Sequence, residues 1–553
     1  MTKSLKAEAI RVESWGGENR NALARAGLAE IPRLLTQLDR DPASPTFGCF
    51  DRDYWHYRVT DFPCGMSQEF VFPLALAWSL DLPGNTYRGD GEIRRWIEAG
   101  IRFAARSAHR DGSCDDYYPY ERATGASAFS LLAMLDASEL IGLTSDGEIE
   151  AFFRRRADWL ADHQETGRLS NHEALIIACL VGIAERSTTS VEDRLQTRLK
   201  RLLSWQSSEG WFDEYGGADP GYLSLTIGLL ADVDRRRPDL ELREPIARAV
   251  KFLGAFVHPD GSVGGEYCSR GTLNFFPHGL EIAGRWLPEA LAINDRALRP
   301  LADGLEPCFS DDRIVGHHLW SRLVAWAEWN ERRPVPIAPV EKSLSFPEAR
   351  LAIQVHRDFR LYCGLDRGAF KLFHGDRLVT SDTGPTLKMR DGRVAVIRSD
   401  DAVETTPGAA MRIAGSMAWA KTELLTPFRS AVLRLIMLTI GRFAPNLVRS
   451  LLQRRLVSLN ASAPYFATRT IGWTRNGLSV RDEIVPRSGW GSVERAGVGG
   501  FQVPMTTVMA RVWQPAQVQP WEDWTDRLTA LGPGEPLVVE RSFTETGSQR
   551  CAA

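Results

Sequence analysis

Twelve amphipathic helical segments follow one another along the first part of the chain and constrain its fold more than any other feature. Apolar residues recur there with the 3.6-residue period of a helix. The predicted segments are 20–39, 67–80, 92–109, 124–143, 147–163, 171–186, 191–206, 221–234, 242–257, 277–286, 289–304 and 317–331. They form six consecutive pairs, and we place a glycine in the loop of each pair: Gly48, Gly112, Gly167, Gly210, Gly261 and Gly316. A period near 50 residues with glycine turns is typical of a helical-hairpin repeat.

Three of the hairpin turns resemble one another: RDGSCDDYYP (110–119), SEGWFDEYGG (208–217) and PDGSVGGEYCSR (259–270). A row of hairpins forms either an open solenoid or a closed (α/α)6 toroid. Six pairs whose loops are rich in Trp, Tyr, Asp and Glu favour closure, because the mouth of a toroid gathers such loops into one cleft. We therefore predict an α+β multidomain protein that begins with an (α/α)6 toroid.

A change of period marks the second domain. The Pro-containing stretch 333–343 follows the last helix, and beyond it apolar residues alternate with polar ones in 350–357, 360–367, 369–375 and 393–399. Alternation resumes after residue 460. The predicted domains are a catalytic toroid (1–332), a linker (333–343) and an antiparallel β-sandwich (344–553).

The segment 424–457 interrupts the sandwich. Its pattern is helical, it contains six arginines and no acid, and Gly441 and Pro445 are expected to break it into two helices. Basic amphipathic helices lie in membrane interfaces with their arginines on anionic headgroups. The alternative is that this hairpin packs on the toroid or on a second subunit.

Composition excludes several classes of protein. The net charge is −3, with 67 basic and 70 acidic residues, so no basic field predicts nucleic-acid binding. The eight cysteines form no CxxC pair, and no HxH or HExxH spacing occurs, so neither a disulfide framework nor a metal site is predicted. No uncharged apolar run is long enough to span a membrane, and the first residues do not resemble a signal peptide. We expect a cytoplasmic enzyme without a cofactor, peripheral to the inner membrane if 424–457 binds lipid.

Candidate catalytic residues lie where inner helices begin. Ser170 is a plausible N-cap that places Asn171 and His172 in the first turn of one helix, and Tyr222 opens the equivalent helix of the next hairpin. An amide and an imidazole at a helix N-terminus suit a developing negative charge, although ordinary capping explains them as well. A Tyr hydroxyl beside them suits proton transfer next to a carboxylate.

These features resemble the heparinase II/III-like polysaccharide lyases and their alginate-lyase relatives. The resemblance rests on six hairpins, an NH pair at one helix start, a Tyr at the next, a Pro-rich linker and a β domain. It implies β-elimination on a uronic-acid-containing glycan. In this family an Asn or Gln and a His hold the carboxylate, matching Asn171 and His172, and a Tyr protonates the leaving oxygen, matching Tyr222. That Tyr, or a His in some members, takes the C5 proton.

The loops on the same face supply the predicted contacts to an acidic poly- or oligosaccharide. Arg270 is the candidate partner of a sugar carboxylate, and pairing with Glu266 to hold the loop explains it equally well. The full set of predicted substrate-binding residues is Arg270, Glu266, Tyr267, Tyr57, Arg58, Gln68, Glu69, Asp116, Tyr117, Tyr118, Glu121, Trp211, Asp213, Glu214 and His278.

Three other functions remain open on the sequence alone. A uronate C5-epimerase uses the same residues and returns the proton to the opposite face of the sugar. An inverting glycoside hydrolase pairs carboxyls as acid and base, for which Asp115, Asp116, Asp213, Glu214 and Glu266 are candidates. A non-catalytic toroid that binds glycan in a polysaccharide assembly pathway is the third. The lyase is preferred.

Overall fold

The computed structural model describes residues 2–143, 146–165, 167–186, 191–305, 308–309, 313, 315–336, 338–399, 410–420, 426–448, 451, 461–499, 512–513, 518–545 and 547–550. All twelve predicted helical segments are helical, and the structure contains one further short helix, α2, between the first two of them. The helices are α1 Thr2–Gln37, α2 Arg52–Trp55, α3 Val71–Ser79, α4 Gly91–Ser107, α5 Thr124–Leu140, α6 Gly147–Asp162, α7 Ser170–Arg186, α8 Glu192–Leu203, α9 Pro220–Arg236, α10 Arg243–Ala255, α11 His278–Ala283, α12 Pro288–Ala302 and α13 Val315–Ala327.

The second helix of each hairpin lies on the inside of a closed ring. Helices α3, α5, α7, α9, α11 and α13 contact one another in this order, and α13 contacts α3 again. The first and last inner helices are also joined by Glu69, whose Oε1 accepts a hydrogen bond from the His317 backbone N–H at 3.0 Å. Because the two ends of an open solenoid do not meet, the predicted toroid is confirmed and the solenoid is excluded.

The hairpin glycines explain how neighbouring hairpins approach so closely. Gly48, Gly112, Gly210 and Gly261 have φ between +86° and +103°. A Cβ atom at any of them would lie 2.2–2.5 Å from a backbone atom of the next hairpin's outer helix. Only glycine combines this conformation with this contact.

The sixth glycine is a correction to the predicted repeat. Gly316 lies inside α13 rather than in a turn. A Cβ atom there would lie 2.5 Å from Glu69 Oε1, so this glycine makes room for the contact that closes the ring.

The second part of the chain forms two packed antiparallel sheets. A five-stranded sheet has the order β2-β3-β4-β5-β6, and a nine-stranded sheet has the order β14-β12-β7-β8-β9-β10-β11-β15-β16, while β1 pairs with β13. The strands are β1 Cys308–Phe309, β2 Leu344–Phe346, β3 Leu351–His356, β4 Phe359–Gly364, β5 Phe370–His374, β6 Arg377–Asp382, β7 Pro385–Met389, β8 Val394–Val396, β9 Met411–Ala420, β10 Ser462–Thr474, β11 Gly477–Pro486, β12 Val493–Val498, β13 Val512–Trp513, β14 Glu522–Asp523, β15 Leu537–Thr544 and β16 Gly547–Arg550.

The five-stranded sheet is the middle layer of the molecule. Phe359, Leu361 and Phe370 on one face pack into the core that it shares with the nine-stranded sheet. Ile353 and Tyr362 on the other face pack into the core of the helical ring. The alternation expected for a β-sandwich is thus present, with both faces of this sheet buried.

The predicted insertion is helical where the structure describes it. Helix α14 spans Pro427–Ile436, a π-helical turn follows at Met437–Gly441, and a last short helical stretch at 445–448 begins at Pro445. Residues 424–425, 449–450 and 452–457 of the segment lie outside the described residues, as does most of the predicted strand region 499–513. Residues 328–336 and 338–343 contain neither helix nor strand. The position of the boundary between the two domains stays a prediction.

Candidate functional site

The candidate site lies at the end of the ring where the inner helices begin. Helix α7 begins at Ser170, so Asn171 and His172 occupy its first turn. Helix α9 begins at Pro220, and the Asp219 side chain accepts a hydrogen bond from the Tyr222 backbone N–H at 2.9 Å. Because α7 and α9 are neighbours in the ring, the sequence-predicted catalytic residues open two adjacent helices.

A buried ion pair connects these two helix starts. Glu214 Oε2 accepts hydrogen bonds from the backbone N–H and the hydroxyl of Ser170 at 3.1 and 2.9 Å. Glu214 Oε1 accepts a hydrogen bond from Arg270 Nη1 at 2.7 Å. The Arg270 guanidinium lies 4.3 Å from the centre of the Tyr222 ring. Arg270 therefore pairs with Glu214 and not with Glu266, the partner that the alternative reading of the sequence gave it, and it places a positive charge on Tyr222.

The surroundings of Tyr222 determine its protonation. Burial raises the pKa of this phenol, while Arg270 and the side chain of Asn274 oppose the shift. The hydroxyl therefore carries its proton at neutral pH, which suits a general acid better than a resting base.

His172 forms a dyad with a carboxylate that the sequence analysis missed. Its Nδ1 lies 2.7 Å from Glu165 Oε2, and both side chains are partly exposed. The imidazole lies against Gly125 of α5, where a Cβ atom would be 2.7 Å from the ring. A carboxylate at Nδ1 favours the tautomer with a basic Nε2, the arrangement of an oriented general base.

Several buried polar atoms at this end of the ring have no hydrogen-bond partner among the described residues. They are both amide atoms of Asn171, Oε1 of Gln68, Oε2 of Glu69 and the hydroxyl of Thr124. Burying a polar group without a partner costs about 1–3 kcal/mol. Native structures rarely leave several such groups together unless a ligand or ordered water completes them. This cluster is the strongest sign that a polar ligand binds at this end of the ring.

A cavity of about 320 Å³ lies between the loops of the first two hairpins. Gln68 lines it, together with His109 and Asp115, whose Nε2 and Oδ1 atoms lie 2.8 Å apart. Tyr120 and Leu438 of the π-helical turn also line it. The helical insertion therefore borders a cavity on the candidate catalytic face.

Four of the predicted substrate contacts have side chains buried against other parts of the protein, and their role in binding stays a prediction. Tyr267 is 1% exposed and its hydroxyl bonds with His258 Nε2 at 2.8 Å, within the core shared by the ring and the five-stranded sheet. Trp211 is buried, and its indole N–H donates to Glu209. Glu266 is buried beside Lys371 of the same sheet, 3.5 Å away. His278 is buried inside the ring, where its Nδ1 bonds with the Ser321 hydroxyl.

The remaining predicted contacts stay predictions, and their surroundings differ. Tyr57 and Tyr117 are 57% and 49% exposed on loops of the first two hairpins, while Arg58 and Tyr118 lie nearby in sequence. Glu121 accepts hydrogen bonds from the backbone N–H groups of Asp116 and Tyr117, which holds that loop. Asp213 pairs with Arg168 at 3.1 Å in the turn before α9.

The residues that sequence reasoning missed are Glu165, Thr124, His317 and His109, whose Nε2 lies beside the hydrolase candidate Asp115. Thr124 had a usable signal, because it opens α5 as Asn171 and Tyr222 open α7 and α9. Glu165 had none, since its contact with His172 depends on the course of the loop between them.

Metal-ligand clusters and membrane-spanning helices are both absent from the part of the chain that the structure describes. These residues contain no group of three or more His, Cys, Asp and Glu side chains placed to hold a metal ion. No helix among them is both long enough and apolar enough to cross a bilayer.

Comparison with known proteins gives similarity of structure only. No protein-family model matches the sequence, and no curated protein matches it. Similar solved structures include a Paenibacillus xanthan lyase, with 11% identity and a TM-score of 0.48 over 87% of this chain and 46% of that chain. A heparinase III has 10% identity and a TM-score of 0.38 over 78% of this chain and 64% of that chain. A Streptomyces coelicolor A3 chondroitin AC lyase has 10% identity and a TM-score of 0.43 over 87% of this chain and 68% of that chain.

The chain thus spans about half the length of the xanthan lyase and slightly under two thirds of the heparinase III. All three are polysaccharide lyases, the class that the sequence resembles. At 10–11% identity the likeness concerns the fold alone, so their substrates and activities are those of the other proteins.

Proposed function

We propose that the protein is a polysaccharide lyase that cleaves a uronic-acid-containing glycan by β-elimination. The observation that carries this proposal is the arrangement at two adjacent helix starts. A buried, protonated Tyr222 lies under Arg270, and the neighbouring helix presents an unpartnered Asn171 amide and the His172–Glu165 dyad.

Each group has one task in the reaction. His172 Nε2 removes the proton from C5, and the electron pair of that C–H bond forms the C4–C5 double bond. As the C4–O bond breaks, the Tyr222 hydroxyl gives its proton to the leaving glycosidic oxygen. The Asn171 amide donates to the sugar carboxylate, on which negative charge accumulates after proton removal. Arg270 stabilises the phenolate that remains, until His172 returns a proton through solvent.

The test is incubation of the protein with a panel of uronic-acid polymers, followed by the ultraviolet absorbance of the unsaturated product. A rise in absorbance that matches the release of shorter chains supports the proposal. Tyr222→Phe is the negative control, and Tyr87→Phe, in the turn between α3 and α4, is the matched positive control. Cleavage without the unsaturated chromophore would identify a hydrolase. Deuterium incorporation at C5 from heavy water without cleavage would identify an epimerase.

The helical insertion adds a second proposal: we infer that its apolar face docks the enzyme on an anionic membrane surface. Large apolar side chains are exposed along it, with Phe428 at 78%, Leu435 at 63% and Phe443 at 85%. Arginines accompany them in the sequence and no acid lies between 424 and 457. Arg434 pairs with Asp61, and Arg442 lies 5.4 Å from the centre of the Tyr120 ring, so the insertion is attached beside the 320 Å³ cavity.

Sedimentation with vesicles tests this second proposal. We expect the protein to sediment with phosphatidylserine-containing vesicles at low salt and to be released at high salt, because headgroup attraction is screened. A Phe428→Ser, Phe443→Ser double variant should stay in the supernatant, and Val518→Ser, which alters an exposed valine elsewhere, should sediment normally. Failure of the wild-type protein to sediment at low salt would overturn the membrane proposal.

A further inference from the structure

A second and larger cavity extends from the middle of the ring, where Phe129 lies 6.4 Å from the His172 ring, toward the end away from Tyr222 and His172. Its volume is about 840 Å³. Its walls come from α3, α11 and α13, from the middle and last turns of α5 and α9, and from Glu185 at the end of α7, whereas the candidate catalytic residues occupy the first turns of α7 and α9. Cavities of roughly 300–1,000 Å³ are typical of small-molecule sites.

The inner wall of this cavity is apolar and aromatic. Phe72 and Trp320 lie against each other with ring centres 5.9 Å apart, and Phe129 lines the wall beside them. His278 also lines it, and burial lowers the pKa of this imidazole to about 4, so the ring is neutral at physiological pH. This inner wall therefore offers aromatic faces and an uncharged imidazole.

The lining carries an excess of carboxylates. Two arginines, Arg235 and Arg236, line the cavity, and both form ion pairs with acids of the same lining. The five lining carboxylates are Asp136, Glu139, Glu185, Asp232 and Glu328. Glu185, Asp232 and Glu328 are the partners of these arginines, whereas no ion pair or hydrogen bond of Asp136 occurs among the described residues.

We propose that this cavity is a binding site for an organic cation with an apolar body, such as a quaternary ammonium compound. Aromatic faces attract such cations through their π systems. The unpaired Asp136 supplies the opposing charge, and the apolar wall receives the hydrocarbon part. This site is separate from the proposed lyase site and does not depend on it.

The titration of Asp136 gives the proposal a second readout. Burial and the nearby Asp232 raise the pKa of this carboxyl to about 7, Glu139 acts in the same direction, and Arg236 and Arg186 oppose them. His278, the titratable group of α11 in this cavity, stays neutral here. A ligand with a permanent charge should therefore bind more tightly as the pH rises through about 7, because Asp136 becomes ionised.

Calorimetric titration with benzyltrimethylammonium tests the site, with benzyl alcohol and benzoate as the neutral and anionic analogues. The cation should bind at least about tenfold more tightly than either analogue. Asp136→Asn should weaken its binding by about tenfold and abolish the pH dependence, whereas Asp376→Asn on the β domain should change neither. Ala133→Leu, which fills part of the cavity, should weaken all binding.

Tyr222→Phe separates this site from the lyase site, because it should bind the cation as the wild-type protein does. Equal binding of the three probes would overturn the proposal, and so would an Asp136→Asn protein with unchanged affinity. Because Asp136→Asn keeps the shape of the side chain, it tests the charge even if the Ala133→Leu protein fails to fold.

Discussion

Two buried polar clusters, one in the β domain and one in the helical ring, differ in how completely their atoms are paired. In the β domain, Arg469 is fully buried and all three of its side-chain nitrogens are bonded, to Asp382, Asp482 and the Gly368 carbonyl. Arg541 pairs with the same two aspartates at 2.7 and 2.8 Å. In the ring, both amide atoms of the equally buried Asn171 have no partner among the residues that the structure describes.

This difference separates structural polar groups from functional ones. A buried charge is tolerated when its partners neutralise it, and the cluster then fixes the packing of the strands around it. A buried amide without partners lowers stability unless something else completes it. The charges of the β-domain cluster are therefore neutralised within the protein, although Nε of Arg541 has no hydrogen-bond partner among the described residues, whereas the Asn171 amide has none at either of its atoms.

Removing the Tyr222 hydroxyl should have a larger effect than any other single substitution in either cluster. Tyr222→Phe keeps the ring that packs on Arg270 and deletes only the proton donor, so kcat should fall by roughly 10²–10⁴. The midpoint of chemical denaturation should stay within the error of the wild-type value. Full turnover by this variant on the true substrate would remove Tyr222 from the mechanism.

Breaking the β-domain cluster should do the reverse: it should lower the stability of the protein and leave the candidate catalytic end of the ring unchanged. Arg469→Ala leaves two buried aspartates with less positive charge, and removing one partner of a buried pair costs about 3–5 kcal/mol. Chemical denaturation measures this loss. Arg481→Ala is the matched control, because its pairs with Glu483 and Glu540 are exposed and screened by solvent, so their loss should barely change stability. Equal losses in the two variants would contradict the structural role of the cluster.

The sequence predicted the fold well because two local signals repeat. Helical periodicity identified every helix of the six hairpins, and the turn glycines marked where neighbouring hairpins touch. Closure of the ring was favoured by the number of pairs. The contact that achieves it joins Glu69 to His317, 248 residues apart in sequence, which no local pattern reveals.

The candidate site was predictable only in part. Asn171, His172 and Tyr222 could be singled out because each lies in the first turn of an inner helix, a position that the helix start itself defines. Tyr267 and Arg270 lie in the same glycine-rich turn, yet Tyr267 turns toward the sheet and Arg270 toward Tyr222. Gly264 and Gly265, with φ of +59° and +120°, set the course of that turn, and sequence alone does not specify such angles.

The unpartnered amide of Asn171 offers a direct test of the ring cluster. Asn171→Ala should lower kcat by about 10²–10³, as expected for loss of one donor to a developing charge, and should change KM much less. Stability should barely change, because no hydrogen bond to a described residue is lost. Asn85→Ala is the matched control, since the Asn85 amide donates to the Ala77 and Leu80 carbonyls at 2.7 and 2.9 Å. This control should lose about 1 kcal/mol of stability and keep its activity. A stability loss in Asn171→Ala without a fall in kcat would make Asn171 structural.

The smallest expected effect is the contribution of the β-domain cluster to the pH dependence of stability. Burial alone would raise the pKa of Asp382, but Arg469 and Arg541 outweigh it and lower this pKa to about 2. Because the pKa is lower in the folded than in the unfolded protein, the stabilisation is fully present above about pH 4 and is lost as the pH falls toward 2. It amounts to about 2 kcal/mol at roughly 1.4 kcal/mol per pKa unit.

Asp219 in the ring should change stability with pH in the opposite direction to Asp382, because burial raises the pKa of the Asp219 carboxyl. The denaturation free energy, measured from pH 6 down to pH 2, should therefore fall in the wild-type protein and fall less in Asp382→Asn. Asp376→Asn, an exposed aspartate of the same domain, should keep the wild-type slope. An unchanged slope in Asp382→Asn would mean that the paired cluster does not govern acid stability, and the contrast between the two clusters would then rest on their hydrogen bonds alone.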